Sequence, residues 1–417
     1  VSAFSTRSRS LKTAVAGIAT VAAAALVLSG CASTEEEAPA AEQLSLKIGT
    51  ALPQTGNLAF LGPPEEAGVG YAVAEINEAA KSLDIEVTYG DSGDTDNKAY
   101  ETEIPRLLGE DVSAIIGAAS SGTSLQFIDQ VVAADVIQFS PANTSAALTT
   151  YDDNGLYWRT APSDVLQGEV LGNLIAEDGH QTLGMIVLND SYGTGLAGFT
   201  KEAFEAAGGT VVAESLYNTG DTSFDSQISE VLAADPDAIA LITFEEVKTI
   251  LPGVVDSFPA ENLYFVDGNL ANFGDQFPAG TLEGAKGTLP GLSLDAITDF
   301  TAEVKAFWEG EGNPELTEFS YAAESYDAVI LLALASLAAQ STDGPDIAAK
   351  LQEVSGGSGD GEKCTTFADC ADIILAGDVA DYDGISGPIT FDENGDPTEA
   401  SIGIYQYGAD NNYAAAE

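Results

Sequence analysis

Histidine is almost missing from this chain: His180 is the single one among 417 residues. Cysteine occurs three times, methionine once and tryptophan twice. With one His and no second Cys pair, a zinc site is not expected. There is no Gly-rich phosphate motif, no Cys/His dyad and no Ser nucleophile elbow, so neither an enzyme nor a resident cofactor is expected. His180 itself follows Asp178-Gly179 at a predicted helix end and reads as a surface cap. Basic residues are scarce too: 14 Lys and Arg stand against 66 Asp and Glu, a formal charge of -52. That balance excludes nucleic acid as a partner, since phosphate contacts need Lys and Arg patches. It also excludes direct adsorption to anionic lipid. The acidic excess reads as a solvated surface suited to a saline or cell-wall environment, in preference to a specific cation-binding role.

Long apolar runs are confined to the N-terminal segment. Arg7, Arg9 and Lys12 precede an uncharged stretch from Ala14 to Leu28, closed by Leu28-Ser29-Gly30-Cys31. The stretch falls short of the roughly 20 apolar residues that span a bilayer and has the length of a secretory h-region. No later stretch is expected to cross a membrane. Ala32 to Glu42 is small, polar and acidic, and cannot bury enough surface to order itself, so 31–43 reads as a flexible tether. The Cys364 and Cys370 pair suggests a disulfide in an exported chain, with two free thiols as the alternative.

From Leu44 the pattern is regular. Leu46–Leu52, Ile85–Tyr89, Ser113–Gly117 and Val136–Phe139 read as strands, with helical spacing between them. The alternation restarts near Trp158, with strands at Leu183–Leu188, Val211–Leu216, Ala238–Thr243 and Leu263–Val266. Helices at Ile297–Trp308 and Phe319–Leu337 follow, then a predicted strand pair in Gly384–Tyr407 around the turn Asp392–Asp396. Strand–helix alternation predicts an α/β fold of parallel sheets in two lobes, with a ligand cleft between them at the C-terminal strand ends. The Asp392–Pro397 turn lacks the glycine and distal glutamate of a calcium loop, and no metal is expected there.

Ile48-Gly49 through Pro53-Gln54-Thr55-Gly56, Ile116–Thr123, Phe139–Ser145, Trp158-Arg159-Thr160, Asn189–Gly193 and Ser325–Ala328 occur in an order and spacing that resemble the type 1 periplasmic binding proteins of the leucine/isoleucine/valine-binding class. The segment around Ser386–Phe391 resembles an actinobacterial branch of it. Leu28–Cys31 likewise resembles the lipobox of bacterial lipoproteins, which implies a signal peptide over 1–30, lipid on Cys31 and an extracytoplasmic, membrane-anchored protein. The resemblance implies two Rossmann-like lobes joined by three hinge crossovers, near Arg159–Ser163, Gly287–Gly291 and Gly384–Pro388. One lobe would comprise 44–160 with 291–384, the other 161–290 with 385–417. It also implies capture of an amino acid, branched-chain or similar, for an ABC permease. The alternative is a sensor of amides, urea or aromatic acids feeding a receptor.

Loop Ser120–Ser124, between a strand and a helix, can present hydroxyls and free backbone N–H groups to an anion without any basic residue. By resemblance, Ser121, Ala142 and Thr144 hold the ligand's α-carboxyl and α-amino groups, with Ser120 beside them, and Tyr192 faces the cleft. On residues alone, Ser121 and Thr144 read equally as helix caps. The ammonium needs an acceptor from the second lobe, with Glu245 the first choice and Asp267 the second. Phe60 and Leu61 lie in the first βα loop, where the class often carries an aromatic; Leu61 occupies that position by spacing.

Overall fold

Strands buried on both faces must be apolar throughout, and Ala114–Gly117, Ile137–Ser140 and Ala238–Ile242 are buried at every residue. The structure, a computed structural model, describes residues 43–416. The lipidation, signal-peptide and tether readings, including Cys31, therefore lie outside the described residues apart from Gln43. The chain runs β1 (Leu44–Ala51), α1 (Gly62–Ala79), β2 (Leu83–Thr88), α2 (Tyr100–Leu108), β3 (Ala114–Gly117), α3 (Ser121–Val132), β4 (Ile137–Ser140) and β5 (Tyr157–Arg159). These strands form a parallel sheet of order β2-β1-β3-β4-β5. Then come α4 (Asp164–Glu177), β6 (Thr182–Leu188), α5 (Ser191–Ala206), β7 (Thr210–Tyr217), α6 (Asp225–Ala233), β8 (Ala238–Ile242), α7 (Val247–Val255), β9 (Leu263–Phe265) and β10 (Lys286–Pro290). The rest is α8 (Thr298–Gly310), α9 (Ala322–Ala339), α10 (Gly344–Val354), β11 (Glu362–Cys364), α11 (Phe367–Leu375), β12 (Ala380–Tyr382), β13 (Ile402–Tyr407) and β14 (Tyr413–Ala415).

The second sheet has the order β7-β6-β8-β9-β10-β13-β14. Its β6–β10 part is parallel, and β13 and β14 add antiparallel at one edge. The expected strand pair within Gly384–Tyr407 is thus corrected. The hairpin is β13–β14, and the Asp392–Asp396 turn closes only a single bridge, Phe391 to Pro397.

Each sheet has its own core. Helix α9 is buried along almost its whole length in the first, against α1 and α10. Among the described residues it is the one helix long and apolar enough to cross a membrane by length and composition, which corrects the expectation of none; 89% of it is buried inside the protein. Ile389 and Phe391 also belong to the first core, with Phe391 edge-on to Trp158 at 5.1 Å. Residues 385–397 were expected in the second lobe and pack instead on the first, because these apolar side chains find their partners there. The third crossover accordingly runs through Glu399–Ser401 rather than Gly384–Pro388, and the Gly291 N–H donates to the Ser401 carbonyl at 2.9 Å, tying it to the second crossover. Cys364 and Cys370 are joined by a disulfide, S–S 2.05 Å.

Arg159, at the end of β5, is fully buried. Its Nε and Nη2 donate to the two carboxylate oxygens of Asp396 at 2.7 and 2.6 Å. Nη1 donates to the Ser145 carbonyl at 2.9 Å, and Nη2 also reaches Thr149 Oγ1 at 2.9 Å. The acidic turn therefore neutralises the one buried guanidinium among the described residues.

Candidate functional site

The C-terminal ends of β3 and β4 open into two loops stitched together by side chains. Ser140 Oγ donates to the Ala118 carbonyl at 2.7 Å and accepts from the Asn143 N–H at 2.9 Å and the Ala142 N–H at 3.2 Å. Asn143 Nδ2 donates to the Ala118 and Ala119 carbonyls at 2.9 and 2.8 Å. Ser120 caps α3 by accepting from the Thr123 N–H at 3.2 Å, and Ser121 Oγ accepts from the Ser145 N–H at 3.2 Å. Ser120, Ser121, Ala142 and Thr144 thus stand together at the positive end of α3. The β1–α1 loop closes the same side, held by Asp91, which accepts from the Gln54 and Thr55 N–H groups, and by Asp94, which accepts from the Asn57 N–H. The loop so anchored presents Leu58 and Leu61 to the cavity, whereas Phe60 packs beside the second core.

The facing wall comes from the second sheet. Tyr192, buried at the start of α5, stacks on Phe244 with ring centroids 5.2 Å apart. Its position is forced by Gly193, where a Cβ would stand 2.1 Å from the Leu188 carbonyl oxygen. The Tyr192 hydroxyl donates to Asp267 Oδ1 at 2.8 Å, joined there by Gln167 Nε2 at 2.9 Å. Tyr321, just before α9, donates to Asp267 Oδ2 at 2.9 Å. Asn269 locks the turn after β9 by donating to the Leu241 carbonyl and accepting from the Val266 N–H.

Glu245 is not part of this wall. It pairs with Lys248 at 2.5 Å on a half-exposed helix start, and its backbone N–H donates to the Asn57 carbonyl across the lobes. Of the two acids named from the sequence, the structure brings only the second, Asp267, to the cavity and leaves the first choice, Glu245, outside it, because the chain after β8 presents Phe244 there and gives the cavity an aromatic face. Tyr321, Phe244 and Gly268 also line the cavity and were missed. Tyr321 follows no strand and carries no motif; Phe244 was the readable one, directly after a continuous apolar strand.

The walls leave a cavity of only about 10 Å³ between them. That is no more than the roughly 10–15 Å³ one water needs, so the two walls stand against each other. The lobes also touch directly, Ser145 Oγ donating to the Ser191 carbonyl at 2.9 Å and Asn57 Nδ2 to Glu246 Oε1 at 2.6 Å.

Residues 45–410 match the family model for periplasmic binding proteins. This chain belongs to that family. A Leu/Ile/Val-binding protein homolog from Brucella suis is 25% identical over 378 residues, covering 88% of this chain and 92% of its own. Among solved structures, the leucine-binding protein LivK of Thermotoga maritima superposes with a TM-score of 0.72 at 22% identity, covering 89% of this chain and 98% of its own. LivJ of Streptococcus pneumoniae, solved with isoleucine, gives 0.70 at 21%, covering 89% and 99%. At these identities the structures speak for the fold: the type 1 arrangement of two parallel-sheet lobes.

Several carboxyls in this binding protein sit above their ordinary range, chiefly through burial. Asp190 and Glu318 are pushed up to about 6. Asp267 is raised by burial against the pull of its hydrogen bonds, and Asp164 by burial and the Asp267 charge. The folded chain then holds protons that the unfolded chain, with carboxyl pKa values of roughly 3.9–4.3, has released. This contribution to stability is full below the unfolded values and is lost as pH rises through about 6 for Asp190 and Glu318. The unliganded protein's Tm is expected to fall between about pH 5 and about pH 7.5, even at about 1 M salt where surface repulsion is screened. A Tm that is flat or rises over that interval would contradict it.

Proposed function

We propose that this protein captures an amino acid with an aliphatic side chain between its lobes and delivers it to an ABC permease. One observation carries the reading: a helix N-terminus with serine and threonine hydroxyls faces a buried, hydrogen-bonded carboxylate, Asp267, across the narrow gap between the lobes. The first wall suits an α-carboxylate and the second an α-ammonium. Leu58, Leu61 and Phe244 supply the apolar surface for the side chain. Closure is the transport signal, since a solute touching both walls favours the shut form. We assign the lipid anchor to Cys31, which would hold the receptor at the membrane beside its permease. A Cys31→Ser chain is expected to lose palmitate labelling and to leave the membrane fraction.

The test is a thermal-shift and calorimetric panel on the compact unit from Ala41 onward. Leu, Ile, Val and Ala are expected to raise Tm; ligand at 100 times its Kd adds about 2.7 kcal/mol. Shifts with urea, amides or aromatic acids but none with amino acids would overturn the assignment. Ser121→Ala and Thr144→Ala are each expected to weaken binding roughly 10- to 100-fold, the worth of a hydrogen bond to a charged group, with the fold retained and Tm lowered modestly in Ser121→Ala, which leaves the Ser145 N–H without its acceptor. Unchanged affinity in both would remove the carboxylate site.

A further inference from the structure

A second cavity is walled by the crossovers themselves. Thr160 and Pro162 come from the first crossover, Gly291 and Leu292 from the second, and Glu399 to Ser401 from the third, around a cavity of about 250 Å³. Glu324 of α9 lines it and is only 5% exposed. Its carboxylate lies over the bare Cα of Gly291: a Cβ there would stand 2.2 Å from Oε1. Thr160 Oγ1 is committed to the Glu324 backbone carbonyl at 2.9 Å. Apart from its own backbone N–H, no described residue donates a hydrogen bond to the Glu324 carboxylate, and no Lys, Arg or His forms an ion pair with it. Every ionisable side chain in the lining, Glu324 and Glu399, is acidic. Once ionised, a buried carboxylate without a counter-charge is costly, and this one faces a cavity with room to admit one.

We propose that the hinge cavity is a binding site for a small monovalent cation, an alkali ion or a simple ammonium, held by Glu324 at the junction of the three crossovers. Two carboxylates and neutral hydroxyls suit a single charge, and no group of three or more ligating side chains that would favour a divalent metal occurs among the described residues. The cation would compete with a proton, because burial pushes Glu324 up to about 8. The groups that bear on Glu324 all share its sign or are neutral: Glu65 from α1, Asp327 from α9, Glu399 from the third crossover, and the phenols of Tyr321 and Tyr405. Cation affinity therefore rises with pH toward that value.

The decisive measurement is ²³Na line broadening and Tm at constant ionic strength, exchanging sodium, potassium or ammonium against bulky N-methylglucamine so that general screening of the acidic surface stays equal. Wild type is expected to show saturable sodium broadening, displaced by potassium or ammonium, and a Tm rise with at least one small cation that N-methylglucamine does not give. Which small cation saturates first identifies the source. Glu324→Gln, which keeps size and shape, is expected to lose at least tenfold in cation affinity while still binding the amino acid. Glu399→Gln, a folded comparison at the mouth, is expected to lose less. Equal Tm with N-methylglucamine, or undiminished broadening in Glu324→Gln, would overturn the site. The amino-acid titrations fail or succeed separately, so the two readings are tested apart.

Discussion

Asp267→Asn is expected to weaken amino-acid binding by about 2–5 kcal/mol, on the order of 30-fold to several thousand-fold, the cost of removing one member of a buried charged pair. Asp267 is fixed by three side-chain donors. Tyr192, Gln167 and Tyr321 each donate to it at 2.8–2.9 Å. An asparagine of the same shape must turn its NH2 toward one of these donors, so it loses a hydrogen bond as well as the charge. Folding should tolerate the change, because a charge whose burial is unfavourable is removed with it. Calorimetric titration of Asp267→Asn beside Glu245→Gln separates the two candidates. Glu245 only pairs with Lys248 at the surface, and its substitution is expected to leave Kd within about twofold. Loss in Glu245→Gln with retention in Asp267→Asn would reverse the assignment. The pH dependence has a definite sign. Asp267 titrates above the ordinary carboxylate range, so affinity falls as pH drops through its folded pKa and the ammonium loses its partner.

Arg159→Met is expected to cost about 3–5 kcal/mol of stability, as for breaking one side of a buried ion pair. The substitution leaves Asp396, with its side chain 13% exposed, without its fork of donors. It also strands the Ser145 carbonyl that Nη1 holds. That carbonyl flanks Thr144, so solute binding should weaken too. Arg159→Lys is expected to rescue little, since an ammonium cannot span both oxygens of Asp396 and the Ser145 carbonyl together. Urea denaturation gives the comparison; a loss under about 1 kcal/mol in Arg159→Met would show that the bridge contributes little.

Much of the architecture was readable because parallel strands must be apolar on both faces. Ile115-Ile116-Gly117 and Ala238–Ile242 announced themselves as buried strands, and the loop after the first of them as a helix start with hydroxyls. Asp267 could not be told from Glu245 in the same way. Both follow a strand end, and in a chain with 66 acidic residues an acid after a strand carries little information. What distinguishes them is Tyr192, Gln167 and Tyr321 arriving from 54 to 100 residues away. The Asp392–Asp396 turn shows the same gap. Its composition spelled a turn, and only the fold shows Asp396 inside the first lobe against Arg159.

The sequence by itself determined the class of fold, the scarcity of Lys, Arg and His, the hydroxyl-rich loop at Ser120–Ser124 and the export-like segment ending at Cys31. These are local: periodicity, composition and short motifs act within a few residues. The tertiary structure decided which acid faces the cavity, where the third crossover lies, and that Tyr321, just before α9, and Glu324, three residues on within it, line the interlobe cavity and the hinge cavity respectively. Those are matters of which distant side chains meet: Asp267 and Glu324 are equally buried, and what separates them is that three side chains donate to the first and none to the second.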